Sequence, residues 1–332
     1  MYFVLPDIKD LPTGGNLYNA RLMAALSEMG RPARPIGWDR FVMQSQTDDP
    51  CFYWVDSLFL DDCQSLPDGI ALHRNVGMIL HYLPSMLLDG EAQKEALARE
   101  SQVLARFNRL MLTSPFTQEY LRQSPADLPP VQVVLPASEL RVQPQAKAFP
   151  VRALMVANLL PNKGLLPFLE TLAEEAVLPD FHLEVVGSHE LDKEYATACQ
   201  AVLAAHPLLT ERIHLVGEKR GDELADAFAA ANLYLSVSEM ESFGMAIQEA
   251  RQAGLPILAL DRGHIRSQVR MGYGQVYVKL SALQRQFLTL CTAPTEMRLM
   301  YHRAQEIAPE AWCWQDAAEV FLAFQPNPVP WT

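Results

Sequence analysis

The sequence predicts an α/β protein of two domains, each built on a mostly parallel sheet with helices on both faces. Three observations carry this. Short apolar runs alternate along the whole chain with segments whose apolar residues recur at helical spacing, and such alternation threads parallel strands through helical crossovers. The chain has 332 residues, enough for two domains with cores of their own. Between Pro136 and Pro150 the periodicity lapses and a further proline, Pro144, intervenes, which reads as a linker. The expected domains cover residues 1–140 and 151–305, and residues 306–332 form a tail.

In the first half, Tyr2–Leu5, Phe52–Asp56, Val76–Leu80, Arg109–Ser114 and Val131–Leu135 read as strands. A loop from Pro6 to Thr13 follows the first, and the helical pattern begins at Asn16, with Tyr18, Leu22, Leu26 and Met29 on one stripe and Gly30 as the stop. Gly14 and Gly15, between that strand and that helix, let a ligand approach the backbone, where N–H groups can meet a diphosphate. The pair also suits a plain tight turn. His81 follows the Val76–Leu80 strand at its carboxyl end, the edge where open α/β sheets place ligands. A lone histidine there is commonly a packed structural residue. Residues 91–107 read as a charged helix with Leu97, Leu104 and Phe107 on its buried stripe and its other faces solvated.

In the second half the strands are Val151–Ala157, His182–Val186, Ile213–Val216, Leu233–Val237 and Pro256–Leu260, and two of them run into Gly187 and Gly217. Such strand ends line a nucleotide crevice, though a turn glycine serves as well. The loop after the first of them carries Asn158 and then Lys163-Gly164, which sets an ammonium where a phosphate would lie in a fresh α/β domain. The stretch Ser238–Ala250 follows a buried strand and opens a helix. Ser242, Phe243, Gly244 and Met245 then fall where the N–H groups of a helix N-terminus point outward, a ready anion site. Glu241 and Glu249 bracket that turn, roughly 12 Å apart if counted along a helix axis.

Composition narrows the function. Lys and Arg number 27 against 39 Asp and Glu, a net charge of −12, which disfavours a broad nucleic-acid surface. The five cysteines, Cys51, Cys63, Cys199, Cys291 and Cys313, are odd in number and never spaced as Cys-x-x-Cys, which argues against a disulfide framework or a zinc site. The apolar run at residues 1–5 is too short for a signal peptide, and no run of about 18 apolar residues occurs. A soluble, cytoplasmic protein without an integral membrane segment is expected. The Gly-x-Gly-x-x-Gly fingerprint is absent, the nearest stretch being Gly272-Tyr-Gly274-Gln-Val-Tyr277, and there is no Walker loop.

The segment Glu241-Ser-Phe-Gly-Met-Ala-Ile-Gln-Glu249, with Ser238 before it and Ala253-Gly-Leu-Pro256 after it, resembles the signature of the family 4 retaining glycosyltransferases of the GT-B fold. The resemblance implies two Rossmann-like domains facing a central cleft: an acceptor-side domain first, a nucleotide-sugar domain second, and a last helix that crosses back to the first. It implies transfer of a sugar from a nucleotide diphosphate sugar, with a uridine donor, to a glycan or small-molecule hydroxyl. The donor is a co-substrate, and neither a cofactor nor a metal is implied; the chain has no Asp-x-Asp motif. Glu241 and His81 take catalytic roles at the sugar. Gly14, Gly15, Asn158, Lys163, Gly217, Phe243, Gly244, Met245 and Glu249 bind the donor, Glu249 at the ribose. Many members carry an arginine at the position of Asn158, and this chain does not. Acceptor choice is expected in residues 38–50 and 83–92. Two other functions are the alternatives: a nucleotide-sugar epimerase of the same architecture, whose acid–base pair no residues here supply, and a non-catalytic sugar-nucleotide-binding subunit, to which the missing cation at Asn158 points.

Overall fold

The computed structural model describes residues 1–6, 13–45, 51–66, 72–142, 149–269, 274–307 and 312–326. Outside them lie residues 7–12 of the expected first loop, 46–50 of the expected acceptor stretch, 143–148 of the expected linker, Gly272, and parts of the tail. The chain divides into two compact units, Met1–Ala137 with Trp312–Thr332, and Ser138–Ala311. Among the described residues each unit holds one six-stranded sheet. No helix among them is long and apolar enough to cross a membrane.

The first sheet has the order β2-β1-β3-β4-β5-β6, all parallel, with β1 Tyr2–Val4, β2 Arg34–Ile36, β3 Tyr53–Asp56, β4 Val76–Leu80, β5 Arg109–Leu112 and β6 Val131–Val133. Every residue of β3 and β4 is buried, which is why those strands read as unbroken apolar runs. Strand β2 was not expected, because Arg34-Pro35-Ile36 carries no such run; its proline is tolerated since the strand lies at the edge. The helix Trp314–Phe324 belongs to this unit, with Phe321 edge-on to Phe3 and against Trp54, and Trp314 edge-on to Tyr18. The Arg109 guanidinium sits over the Phe52 and Phe324 rings and donates to the Phe324 carbonyl.

The second sheet has the order β12-β11-β10-β7-β8-β9, again parallel, with β7 Val151–Val156, β8 Phe181–Val186, β9 Ile213–Gly217, β10 Leu233–Ser236, β11 Ile257–Leu260 and β12 Gly274–Tyr277. The edge strand β12 was also not expected, since all four of its residues are only half-buried and no apolar run marks it. Strand order reverses between β1 and β3 in the first sheet and between β7 and β10 in the second. At such a point successive crossovers leave on opposite faces, and the diverging loops open a crevice at the carboxyl ends of the strands.

Three expected details need correction. The first helix spans Gly14–Glu28 rather than starting at Asn16, because Thr13 caps it by accepting the Asn16 N–H, and Met29 at its end is exposed. The charged helix ends at Leu104, although Leu97, Leu104 and Phe107 are all buried as its stripe requires. The buried stripe also carries a carboxylate, because Glu100 lies three residues after Leu97 and four before Leu104. Glu100 is buried and accepts from the Ser85 N–H at 2.9 Å and the Ser85 hydroxyl at 2.5 Å, while Tyr120 donates to that hydroxyl at 2.8 Å. Burial pushes the Glu100 pKa up, against the Ser85 bonds that pull it down.

Removing that carboxylate strands a buried N–H, so Glu100→Ala should cost the first unit about 2 kcal/mol. The four described tryptophans, Trp38, Trp54, Trp312 and Trp314, lie in that unit. Tryptophan fluorescence during urea unfolding therefore reports on it, and an unchanged midpoint would show that Ser85 finds another partner.

Candidate active site

In the second unit the site forms at the reversal between β7 and β10. After β7 the chain passes through Asn158 into the single turn Pro161–Lys163, takes a left-handed conformation at Gly164 with φ of +69°, and enters the helix Leu165–Ala173. A Cβ at position 164 would stand 2.1 Å from the Val237 carbonyl oxygen. Only glycine lets this loop lie on the end of β10, where the Glu239 N–H donates to the Asn162 carbonyl at 2.9 Å. Lys163 Nζ then reaches Glu241 Oε1 at 2.6 Å, both side chains about four-fifths buried.

From the other side, the loop after β11 holds the same stretch. The His264 N–H donates to the Glu241 carbonyl at 2.8 Å, and the His264 ring stacks on Phe243 with centroids 5.4 Å apart. Gln268 Nε2 donates to the Phe243 and Gly244 carbonyls. Gly244 is left-handed, with φ of +84°, and opens the helix Met245–Gln252, whose N-terminus no side chain caps. Because that helix begins at Met245, residues 241–244 are not helical, and the separation counted along a helix axis does not apply. After burial itself, the charges of Glu241 and then Glu249 push the Tyr234 hydroxyl pKa up, so both carboxylates bear on one buried tyrosine.

Asn158 and Gly217 each bond to a residue just after β8. The Asn158 amide oxygen accepts from the Ser188 N–H at 2.9 Å, and the Gly217 carbonyl accepts from the Gly187 N–H at 2.9 Å. These bonds lace together the carboxyl ends of β7, β8 and β9.

In the first unit the helix N-terminus after β1 meets the residue after β4. A Cβ on Gly15 would lie 3.1 Å from His81 Cδ2, and the Tyr18 ring stands edge-on to the imidazole at 5.3 Å. Asn19 and Asp56, neither singled out in the sequence, both contact His81 Nε2, at 3.1 and 3.3 Å. His264 and Gln268 were missed as well. A glycine in Arg262-Gly263-His264, after a strand, was their one available signal. A Cβ at Gly263 would stand 2.2 Å from the Glu241 carbonyl oxygen, and its φ is +60°.

The arrangement offers a cation, two carboxylates and an uncapped helix N-terminus at one sheet edge, which suits a ligand with both a phosphate and hydroxyl groups. The family model described as glycosyl transferases group 1 matches residues 138–304. Over 219 residues the chain is 28% identical to the D-inositol 3-phosphate glycosyltransferase of Streptomyces bingchenggensis, covering 58% of this chain and 47% of that protein. It is 28% identical over 88 residues to the sulfoquinovosyl transferase of Arabidopsis thaliana, covering 26% and 16%. The chain thus spans about half or less of the length of the curated relatives it matches. Among solved structures it superposes on HepE of Anabaena in complex with UDP-glucose, with a TM-score of 0.74, 16% identity, and 97% of this chain and 98% of that one covered. Sucrose-phosphate synthase of Thermosynechococcus elongatus gives 0.72, 16%, and 97% of each. At that identity they show the fold, which is GT-B.

Burial, with the charge of Arg251 beside it, pushes the His264 pKa from 6.5 down to about 4. The unfolded chain binds this proton more tightly, so the stability held above pH 6.5 is lost as pH falls toward 4. Between pH 7 and pH 5 the second unit should lose about 2 kcal/mol through this residue. Denaturation followed by circular dichroism should show that loss diminished in His264→Phe; an equal loss in both proteins would refute the assignment.

Proposed function

The chain belongs to the glycosyl transferases group 1 family, and from that premise we propose that it moves a sugar from a nucleotide diphosphate sugar to an acceptor hydroxyl, as a family 4 enzyme that retains the anomeric configuration. The observation that carries the reading is Lys163 Nζ at 2.6 Å from Glu241 Oε1, beside the uncapped helix at Gly244.

Negative charge gathers on the diphosphate as its bond to the sugar breaks. A cation and oriented N–H groups that meet this charge most strongly in the transition state lower the barrier. Lys163 and the turn Phe243–Met245 take that part. In the free protein Lys163 is neutralised by Glu241, so an arriving diphosphate takes over the ammonium and releases the carboxylate toward the sugar. Glu249 takes the ribose hydroxyls, and Gly217 is assigned to the nucleoside. Asn158 brings no charge, so leaving-group stabilisation falls chiefly on Lys163 and the helix N-terminus. Gly14 and Gly15 keep the donor-side role that the resemblance implies, and His81 keeps contact with the sugar. No metal is assigned a step. The uridine donor is supported by HepE, whose structures hold UDP and UDP-glucose. A glycan or small molecule is the proposed acceptor.

Calorimetry with UDP, UDP-glucose and other nucleotide sugars tests this. Lys163→Ala should weaken binding about 10- to 100-fold, the worth of a charge-assisted hydrogen bond. Glu241→Gln should lose turnover yet keep or gain UDP affinity, because Lys163 loses its competing carboxylate. A wild type that binds no nucleotide, or an affinity indifferent to Lys163, would sink the proposal.

A further inference from the structure

Asp56 ends β3 with its carboxylate fully buried. Its Oδ1 accepts from the Leu58 N–H at 2.8 Å, and its Oδ2 lies 2.5 Å from Asn19 Nδ2 and 3.3 Å from His81 Nε2. Burial alone would raise its pKa. The charge of His81 and the hydrogen bonds from His81, Leu58 and Asn19 outweigh burial and hold it below the usual carboxylate range. At neutral pH the group is therefore ionised and can only accept.

An acceptor-only carboxylate settles the orientation of Asn19. The amide nitrogen must face Asp56, so the amide oxygen turns the other way, and that oxygen lies 3.1 Å from His81 Nε2. His81 Nε2 thus faces two acceptors and must carry a hydrogen. His81 Nδ1 makes no hydrogen bond among the described residues. The close approach of Gly15 and the edge-on Tyr18 ring hold the imidazole in this pose.

We propose that Asp56 and Asn19 are positioning residues that lock the ring proton of His81 on Nε2 and leave Nδ1 as the atom offered to the ligand; the ligand half of this rests on the reading in which His81 meets the transferred sugar. The neutral ring then accepts a hydrogen bond from a sugar hydroxyl at Nδ1, and the charged ring donates one there. Nε2 keeps its hydrogen in both states.

Nitrogen NMR of the histidine rings in the full chain tests the lock, with His81→Gln to identify the signals. In the wild type Nε2 should stay protonated across the titration while Nδ1 alone changes. In Asp56→Asn the new amide nitrogen replaces Oδ2, so Asn19 must turn its oxygen toward it and its nitrogen toward the ring. The neutral ring should then carry its proton on Nδ1. In Asn19→Ala the Asp56 carboxylate still accepts, and Nε2 should keep its hydrogen. A bare Nε2 in the neutral wild-type ring, or a proton that stays on Nε2 in Asp56→Asn, would overturn the proposal. Should Asp56→Asn fail to fold, the wild type and Asn19→Ala decide it. These spectra need no ligand, so a failure of nucleotide-sugar binding is seen separately. With a donor selected by calorimetry, Asp56→Asn should lower kcat at least about tenfold and leave the donor KM within about twofold. An unchanged kcat would confine Asp56 to folding.

Discussion

A Cβ at position 164 would overlap the carbonyl oxygen of Val237, and the second unit's site depends on its absence. Without it the loop after β7 lies flat on the end of β10, and Lys163 comes within hydrogen-bonding distance of Glu241. Gly263 repeats the device from the loop after β11, against the carbonyl of Glu241 itself. Since β10 lies between β7 and β11, Glu241 is gripped by the loops that follow both neighbours of its own strand. The helix at Met245 is aimed by the same contacts, because Gln268 holds the two carbonyls that precede it.

The first unit places its polar residues at the equivalent point of its own sheet, where strand order reverses between β1 and β3. The physical means differ. Lys163 and Glu241 retain some exposure, so they can exchange each other for a ligand. Asp56 is sealed, and a sealed carboxylate keeps its charge only when every lone-pair direction that matters is met by a donor. That requirement fixes the Asn19 amide and, through it, the imidazole of His81.

Much of the fold is legible in the sequence because central parallel strands are buried on both faces and must be continuously apolar. Phe52–Asp56 and Val76–Leu80 contain β3 and β4, and Leu233–Val237 contains β10. The edge strands β2 and β12 escape this logic: one face or one side of each is open, and neither Pro35 nor the half-buried residues of Gly274–Tyr277 announce a strand. Glu100 escapes it too. Its spacing from Leu97 and Leu104 puts it on the buried stripe while its charge argues for solvent, and only the turn at Ser85 supplies the donors that let it be buried.

The sequence by itself determined the alternation of strands and helices, the glycine beside Lys163, and the spacing of Glu241 and Glu249, because each is set by local backbone chemistry or by periodic burial. Only the tertiary structure decided which of these residues meet. Lys163 and Glu241 are 78 positions apart, and Asn19 and His81 are 62 apart. Their contacts follow from strand order, with β7 beside β10 and β1 beside β3. Strand order is a property of how whole crossovers pack, and no short stretch of sequence encodes it. For the same reason Asp56, Asn19, His264 and Gln268 carry no signal of their own: each acts through a neighbour that the fold, not the chain, places beside it.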